Sequence, residues 1–247
     1  MNVVRGNLKK SFPNSSESER STIEKKFYLN LSDVLIESLK LSTISRESLL
    51  KRMKLTNPSV FNNLEKRNKG AVLIGAHFNN WEWMSLSLSA QLKQDMYAVY
   101  KPLNNKDVDA LMLKSRSRFG AKIIPMKQFP KVVLKNKNRA TVNLMLADQS
   151  PHKSKLDYFV NFLNQDTPVY LGAEKLIKAA NLELLFVEVT RVKRGFYEMN
   201  IVPLALNKNC EQGEVTKLHL SQLEQMIIKE PQNWLWSHKR WKNSRNK

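Results

Sequence analysis

The sequence predicts an α/β fold, with a mixed central sheet flanked by helices and further helices at both ends of the chain. Short apolar runs of strand length alternate with longer segments of helical periodicity through the middle of the sequence. The chain has 247 residues, of which 42% are hydrophobic, and we find no linker or internal repeat that would divide it. We therefore expect one domain, 1–247, built from an N-terminal helical part, 1–68, and an α/β core, 69–247.

The N-terminal part is predicted to form two helices. In residues 21–41 the apolar side chains recur at the spacing of one helix face, and residues 44–55 repeat the pattern over a shorter stretch. The start of the chain lacks the apolar core of a signal peptide. No apolar run approaches the roughly 18 to 20 residues that are needed to cross a bilayer.

The core is predicted to begin with the strand AVLIGA, the helix WEWMSLSLSAQLK, the strand MYAVYK and a helix that Gly120 closes. The strand TVNLMLADQ then ends in a polar pair, Asp148 and Gln149. A later helix is predicted to have Thr167 as its N-cap and Pro168 at its first position. The other predicted elements are strands over 122–126 and 158–163, a short helix between them, a hairpin over 182–204 and a helix over 215–230.

The net charge is strongly positive, because 41 lysines and arginines stand against 22 acidic residues and give +19 at pH 7. Such a field attracts polyanions, whether nucleic acid, an anionic membrane surface or an acidic protein. The C-terminal segment PQNWLWSHKRWKNSRNK interleaves three tryptophans with five cations. That composition suits nucleic acid, on which aromatic rings stack, and equally a membrane interface.

Cysteine and histidine content argues against a metal site. The single cysteine, Cys210, excludes an internal disulfide and a cysteine-based zinc cluster. The HExxH pattern is absent, and we expect neither a metal nor a cofactor. Among the four histidines, His152 and His219 are expected at the surface, and His238 is expected to be packed or hydrogen-bonded.

The remaining histidine, His77, follows AVLIGA directly, at the end of a strand where sites of open α/β sheets gather. On one continuous helix, two residues five positions apart are rotated about 140° from each other around the axis. Glu82 can therefore meet His77 only if His77 lies in a loop and Glu82 lies in the first turn of a helix that Asn79 caps. A histidine held by a carboxylate is a general base. Alternatively, Asn79 and Glu82 form a capping box, and His77 is a polar residue whose hydrogen bonds are made within the protein and which has no catalytic role.

Several blocks together resemble one family. HFNNWEW resembles the HFGNWE block of the late lipid A acyltransferases, bacterial enzymes of the lysophospholipid acyltransferase superfamily. VVRGNLKKSFP is similar to their R-x-N-L-x-x-x-FP segment, and YKPLNN with RSRFGAKII to their arginine-containing segment. LADQS resembles their D-[QH] block, and TPVYLGAEKLIKAAN resembles the helix that follows that block. PQNWLWSHKRWK resembles the pattern at the C-terminal end of these enzymes. In order and spacing, these blocks cover nearly the whole chain.

This resemblance implies acyl transfer from a thioester, usually acyl-acyl carrier protein, to a hydroxyl of a lipid acceptor such as a lipid A precursor. By position, His77 is the base that deprotonates this hydroxyl and Glu82 orients it. Arg118, or else Arg116, would stabilise the oxyanion. The implied partners are the carrier protein, the lipid acceptor and an anionic membrane at the cytoplasmic face of the bacterial inner membrane, with no nucleic acid.

Other polar residues are candidates for contacts around the base. Asp148 and Gln149 are expected to touch either the acceptor head group or the loop that carries His77. Asn80 or its neighbour replaces the glycine of HFGNWE, and asparagine tolerates the left-handed backbone that glycine adopts. An acyl-chain groove is expected between the strand end at His77 and the helix from Thr167, with Trp81 and Phe78 as lining.

Family members usually carry an apolar membrane helix before the R-x-N-L segment, and this chain starts inside that segment. We therefore expect either a shortened chain or a form that binds the membrane peripherally. Three alternatives remain open: the same chemistry on an aminolipid or other polar lipid, a basic nucleic-acid-binding protein, and an inactive lipid-binding relative.

Overall fold

The computed structural model describes residues 2–153, 156, 158–207 and 210–245 of the chain. Its strands form a seven-stranded sheet and a separate two-stranded ribbon. Met1 and the last two residues of the basic C-terminal segment lie outside the described residues. The strands are β1 Met53–Leu55, β2 Ala71–Gly75, β3 Met96–Tyr100, β4 Lys122–Pro125, β5 Val142–Leu146, β6 Phe159–Phe162, β7 Gln165–Pro168, β8 Glu183–Lys193 and β9 Phe196–Leu204.

The large sheet has the strand order β1-β9-β8-β2-β5-β3-β4. The strands from β8 to β4 run parallel, whereas β9 returns antiparallel to β8 and β1 pairs parallel with β9. β2 is buried along its whole length because strands pair on both sides of it and both of its faces are covered. The predicted α/β fold with a mixed, helix-flanked sheet is confirmed.

Helices cover both faces of this sheet. Along β2, Val72 and Ile74 join one hydrophobic cluster, while Ala71 and Leu73 join the other, because successive strand side chains point to opposite faces. No helix among the described residues combines the length and the apolar character that crossing a bilayer requires. The helices are α1 Asn2–Ser11, α2 Glu17–Leu39, α3 Arg46–Arg52, α4 Ser59–Lys66, α5 Trp81–Gln91, α6 Lys106–Arg116, α7 Phe129–Lys135, α8 Gly172–Ala180 and α9 Glu214–Lys229, with short 3-10 helices at Lys40–Ser42 and Pro231–Asn233.

The predicted helix over 44–55 stops early. It ends at Arg52, and the next three residues pair with β9 as the edge strand β1. Met53 is fully buried there, so sheet pairing and burial together outweigh the helical periodicity of this segment.

The helix predicted to start at Thr167 also begins later. Thr167 and Pro168 belong to β7, and α8 starts at Gly172. The Thr167 hydroxyl is buried, donates to the Gln165 carbonyl at 2.8 Å and accepts from Trp241 Nε1 at 2.7 Å. Its hydrogen bonds therefore connect the ribbon to the C-terminal segment, and it does not cap a helix.

Candidate active site

His77 and Asp148 lie side by side at the carboxyl edge of the sheet. β2 and β5 pair in parallel with Gly75 opposite Leu146, and each of the two residues stands two positions beyond that pair. Nδ1 of His77 lies 2.7 Å from Asp148 Oδ1, and the His77 backbone N–H donates to Asp148 Oδ2 at 3.0 Å. One carboxylate therefore holds both the ring and the backbone of the histidine.

Electrostatics determine which nitrogen of His77 carries the proton. Burial opposes the charge on Asp148, but the attraction and hydrogen bonds of His77 outweigh it and lower the pKa of Asp148 to about 2. Burial also opposes the charge on His77, yet the attraction and hydrogen bond of Asp148 prevail and raise the pKa of His77. An ionised Asp148 only accepts, so Nδ1 of neutral His77 is protonated and Nε2 presents a lone pair.

The C-terminal segment supports this pair from inside the protein. Phe78 and Trp234 form an isolated antiparallel bridge, and the Leu235 N–H donates to the His77 carbonyl at 3.1 Å. Nε1 of Trp234 donates to Asp148 Oδ2 at 2.9 Å. Trp234 is thus a site residue that local sequence does not predict, because its contact depends on the meeting of two distant segments.

The tryptophans of this segment do not form an outer surface. Trp234, Trp236 and Trp241 are 2%, 0% and 8% exposed, and they pack against one another and against Phe162. Of the structural and membrane-facing role expected for this segment, the structural part is confirmed for these rings and the membrane-facing part is wrong, since they fill the core beneath the site. For the same reason they offer no stacking surface to nucleic acid.

Glu82 contacts Arg116 rather than His77. Its carboxylate accepts from Arg116 Nε at 2.9 Å and from Nη2 at 2.6 Å in a two-point ion pair. The expectation that Glu82 orients the imidazole is corrected, because Asp148 makes that contact. Glu82 still lies close enough to add to the rise in the pKa of His77.

The loop between β2 and α5 is held by two buried asparagines. Asn80 is the N-cap of α5, since its Oδ1 accepts from the Trp83 N–H at 2.8 Å, and its Nδ2 donates to Glu37 at 2.7 Å. Its predicted role in substrate binding is corrected to a structural one. Asn79, which was expected to be the cap, instead adopts a left-handed φ of +51° and donates to the Val189 carbonyl at 2.7 Å. The capping box of Asn79 with Glu82 therefore does not form.

Arg116, rather than Arg118, lies beside the histidine. Burial opposes the charge of Arg116, but its pairing with Glu82 outweighs this and raises its pKa. Arg118 instead donates to the Leu41 carbonyl at 2.9 Å and covers the Phe119 ring. The preference for Arg118 is thus corrected, since local sequence did not reveal which arginine points toward α5.

His77, Glu82 and Arg116 border a cavity of about 330 Å³. Gln149 lies at its edge and places its amide nitrogen 3.3 Å from His77 Nε2, and the Trp81 ring meets the imidazole edge-on at 5.2 Å. The cavity thus combines a proton acceptor with apolar walls. These walls include Ala98, Val99, Ile123, Met126, Leu144 and Leu146.

This cavity extends toward β3 and β4, on the opposite side of β5 from the location that the sequence predicts near α8. Trp81 lines it as predicted. Phe78 does not, because it is 3% exposed and packs in the hydrophobic cluster that includes the apolar side of α8.

The other histidines do not contribute to the cavity. His238 accepts from the Ser150 N–H at 3.0 Å, which confirms its hydrogen-bonded role, and His152 is exposed as expected. The expectation that His219 lies at the surface is wrong, because its side chain is 3% exposed. Burial lowers the pKa of His219 to about 4. In the described part of the chain, no three His, Cys, Asp or Glu side chains are arranged to hold a metal ion.

Comparison with known proteins gives a consistent result. A family model described as bacterial lipid A biosynthesis acyltransferase matches residues 2–243. A lipid A biosynthesis acyltransferase from Shigella flexneri is 22% identical over 244 residues, which is 97% of this chain and 78% of that protein. A protein of the same description from Haemophilus influenzae is 22% identical over 231 residues, or 93% of this chain and 72% of the relative.

Proposed function

Because the chain belongs to the family of bacterial lipid A biosynthesis acyltransferases and is therefore an acyltransferase, we propose that it transfers a fatty acyl chain from acyl-acyl carrier protein to a hydroxyl of a lipid A precursor. The observation that carries this proposal is the His77–Asp148 pair, whose imidazole borders a cavity with apolar walls. A base next to an apolar cavity suits a hydroxyl acceptor and a fatty acyl donor.

His77 is the general base in this proposal. Its Nε2 takes the proton of the acceptor hydroxyl while that oxygen attacks the thioester carbonyl carbon. When the tetrahedral intermediate collapses, the C–S bond breaks and the imidazolium returns its proton to the departing sulfur. Asp148 orients the ring and stabilises its charged form, and general base catalysis of this kind contributes roughly 10²- to 10⁴-fold in rate.

Arg116 is the proposed stabiliser of the oxyanion. Glu82 binds two of its nitrogens, which fixes the guanidinium plane at the cavity wall. A cation that is already oriented needs little reorganisation when negative charge develops on the thioester oxygen. Glu82 therefore acts through Arg116, as a positioning residue, and Gln149 is available for the acceptor hydroxyl.

The remaining partners follow from charge and chemistry. Carrier proteins are acidic and bacterial membrane surfaces are anionic, so both complement a chain with a net charge of +19. We place the reaction at the cytoplasmic face of the inner membrane, where an acyl carrier protein and a lipid acceptor meet.

The decisive experiment is acyl transfer from radiolabelled acyl-acyl carrier protein to a lipid A precursor by the purified protein. His77→Ala should abolish transfer while the protein remains folded by circular dichroism. The exposed His152 provides a matched control, because His152→Ala removes the same side chain outside the cavity and should retain activity.

Two outcomes would correct the proposal. If the parent consumes thioester in a His77-dependent way without labelling the lipid A precursor, the acceptor is another polar lipid or an aminolipid. If neither thioester consumption nor transfer occurs even on membranes, the protein is an inactive lipid-binding relative.

A further inference from the structure

α2 presents apolar side chains outward. Leu29, Leu35, Ile36 and Leu39 are 69%, 59%, 57% and 79% exposed. Ile36 follows Leu29 by seven positions, and Leu39 follows Ile36 by three positions and Leu35 by four. Residues with these spacings share one helix face, so the four side chains form one apolar row, which we call the α2 stripe. Leu35 and Leu39 belong to the apolar pattern that predicted an amphipathic helix over residues 21–41, but the structure exposes both.

Polar side chains occupy the inward face of the same helix. Asp33 pairs with Arg191 at 2.6 Å and with Arg194 at 2.7 Å, and Glu37 accepts from the Tyr197 hydroxyl at 2.9 Å. Rotating α2 to bury its leucines would break these bonds and leave charged groups without partners. The α2 stripe is therefore a fixed outer surface of this fold.

Along residues 25–40, the exposed charged side chains have one sign. Lys25 and Lys26 precede it and Lys40 follows it, and all three are exposed, whereas the acidic side chains of this stretch, Asp33 and Glu37, are buried. An apolar row flanked by lysines matches the surface of an anionic membrane, which offers acyl chains and negative head groups together. A second copy of the chain fits less well, because a symmetric dimer would bring these lysines toward one another.

The stripe ends close to the candidate active site. The 3-10 helix Lys40–Ser42 continues from α2 and packs on α6, and Arg118 donates to the Leu41 carbonyl at 2.9 Å. α6 ends at Arg116, which borders the cavity. A membrane bound to the stripe would therefore lie beside the helix that carries a site residue.

We propose that the α2 stripe, with its flanking lysines, is the surface that docks this protein on an anionic lipid membrane. The inference rests on the proposed function in one respect: a lipid acceptor has to be reached at a membrane surface. Docking itself requires neither acyl donor nor chemistry, so it can be measured separately from the reaction.

The test is sedimentation of the purified full chain with vesicles of phosphatidylglycerol and phosphatidylcholine. Leu35→Glu/Leu39→Glu should lower the vesicle partition coefficient at least about tenfold, because it puts two charges into the apolar row. Leu39→Glu has a matched control in Leu134→Glu, since Leu134 is 41% exposed on α7 and lies outside the stripe. The control should change partitioning less than about twofold, and pure phosphatidylcholine should bind the parent more weakly.

The other measurements separate this inference from the proposed function. The double variant should keep its thermal unfolding midpoint, and with a detergent-solubilised lipid acceptor it should keep its consumption of acyl-acyl carrier protein thioester, since the stripe does not line the cavity. Equal binding of parent and double variant, or no binding of the parent, overturns the inference. So does a parent that is dimeric in size-exclusion chromatography and becomes monomeric in the double variant, because a second copy then covers the stripe. Vesicle binding that depends on the stripe, without any acyl transfer by the parent, supports docking and refutes the proposed function.

Discussion

Nδ1 of His77 and Oδ1 of Asp148 are 2.7 Å apart, at the ends of two adjoining parallel strands. The same carboxylate also accepts from the His77 backbone N–H and from Trp234 Nε1, so three donors share its two oxygens. Asp148 therefore fixes the position of the loop as well as the orientation of the ring.

The first prediction concerns Asp148→Asn. An amide accepts only through its oxygen and brings an NH₂ group toward the N–H donors, so the imidazole loses its preferred tautomer and kcat should fall about 10²- to 10⁴-fold. Removing the negative charge also lowers the pKa of His77, so the acid limb of kcat/KM should move to lower pH. Steady-state kinetics across pH measures both effects, and a variant with parental kcat and an unmoved limb would contradict the assignment.

Arg116 and Arg118 form a second, paired prediction. Arg116→Ala removes the proposed oxyanion donor, so kcat should fall about 10²- to 10³-fold. It also leaves the Glu82 carboxylate, whose side chain is 11% exposed, without its partner, at a cost of about 1 to 3 kcal/mol in unfolding free energy. Arg118→Ala is the control and should lower kcat less than about threefold, since Arg118 lies outside the cavity. A larger loss for Arg118→Ala would reverse the assignment.

Glu37 is predicted to support the active-site loop from α2. It accepts from Asn80 Nδ2 at 2.7 Å and from the Tyr197 hydroxyl at 2.9 Å, and it is 9% exposed. Glu37→Ala should lower the unfolding free energy by about 1 to 3 kcal/mol for each donor left without an acceptor. Urea denaturation measures this, with Ser32→Ala as an exposed control on the same helix. Equal stability of the two variants would show that water replaces the carboxylate without loss.

Asn79 tests the backbone of the same loop. Its φ of +51° is left-handed, a conformation that disfavours side chains with a Cβ atom. Asn79→Gly and Asn79→Ala both lose the hydrogen bond to the Val189 carbonyl, so comparing them isolates the backbone effect. The glycine variant should be more stable than the alanine variant by about 1 kcal/mol in chemical denaturation. An alanine variant that is equally stable would mean that the loop relaxes out of this conformation.

The buried His219 predicts a loss of stability in acid. Burial lowers its pKa from 6.5 to about 4, so the unfolded chain takes up the proton first as the pH falls. Its contribution to stability is complete above pH 6.5 and is lost between pH 6.5 and 4, to a total of about 3 kcal/mol. His238 acts in the same direction, because burial lowers its pKa to about 4 as well.

Unfolding free energies measured in urea at pH 7 and pH 5 check this prediction. His219→Leu replaces the titratable imidazole with an apolar side chain of similar size and should flatten the pH dependence, whereas the exposed His152→Leu should leave it unchanged. An unchanged slope in His219→Leu would mean that this histidine is not buried in its neutral form.

Local patterns were enough to predict the fold class and half of the site. The short apolar run AVLIG is typical of a buried strand, and His77 follows that run closely. The polar pair Asp148 and Gln149 likewise stands at the end of an apolar strand. Both inferences depend only on residues that are adjacent along the chain, so they can be made without knowledge of the tertiary structure.

Helix starts were less well determined. Asn79 and Asn80 are equally good caps in isolation, and the left-handed turn at Asn79 is set by its bond to β8. Thr167 and Pro168 together are typical of a helix start, but the Trp241 ring already uses the threonine hydroxyl. In both cases a distant partner overrides a local preference of about 1 kcal/mol.

The sequence by itself determined that the chain is an α/β protein with a histidine at a strand end and acids and arginines within reach. Only the tertiary structure decided that Asp148 rather than Glu82 meets His77, that Glu82 meets Arg116, and which face of α2 turns outward. The physical reason is that β2 and β5 are joined through pairing between residues 71 positions apart in the chain. Their shared register puts His77 and Asp148 at one edge, and no periodicity within either segment records that register.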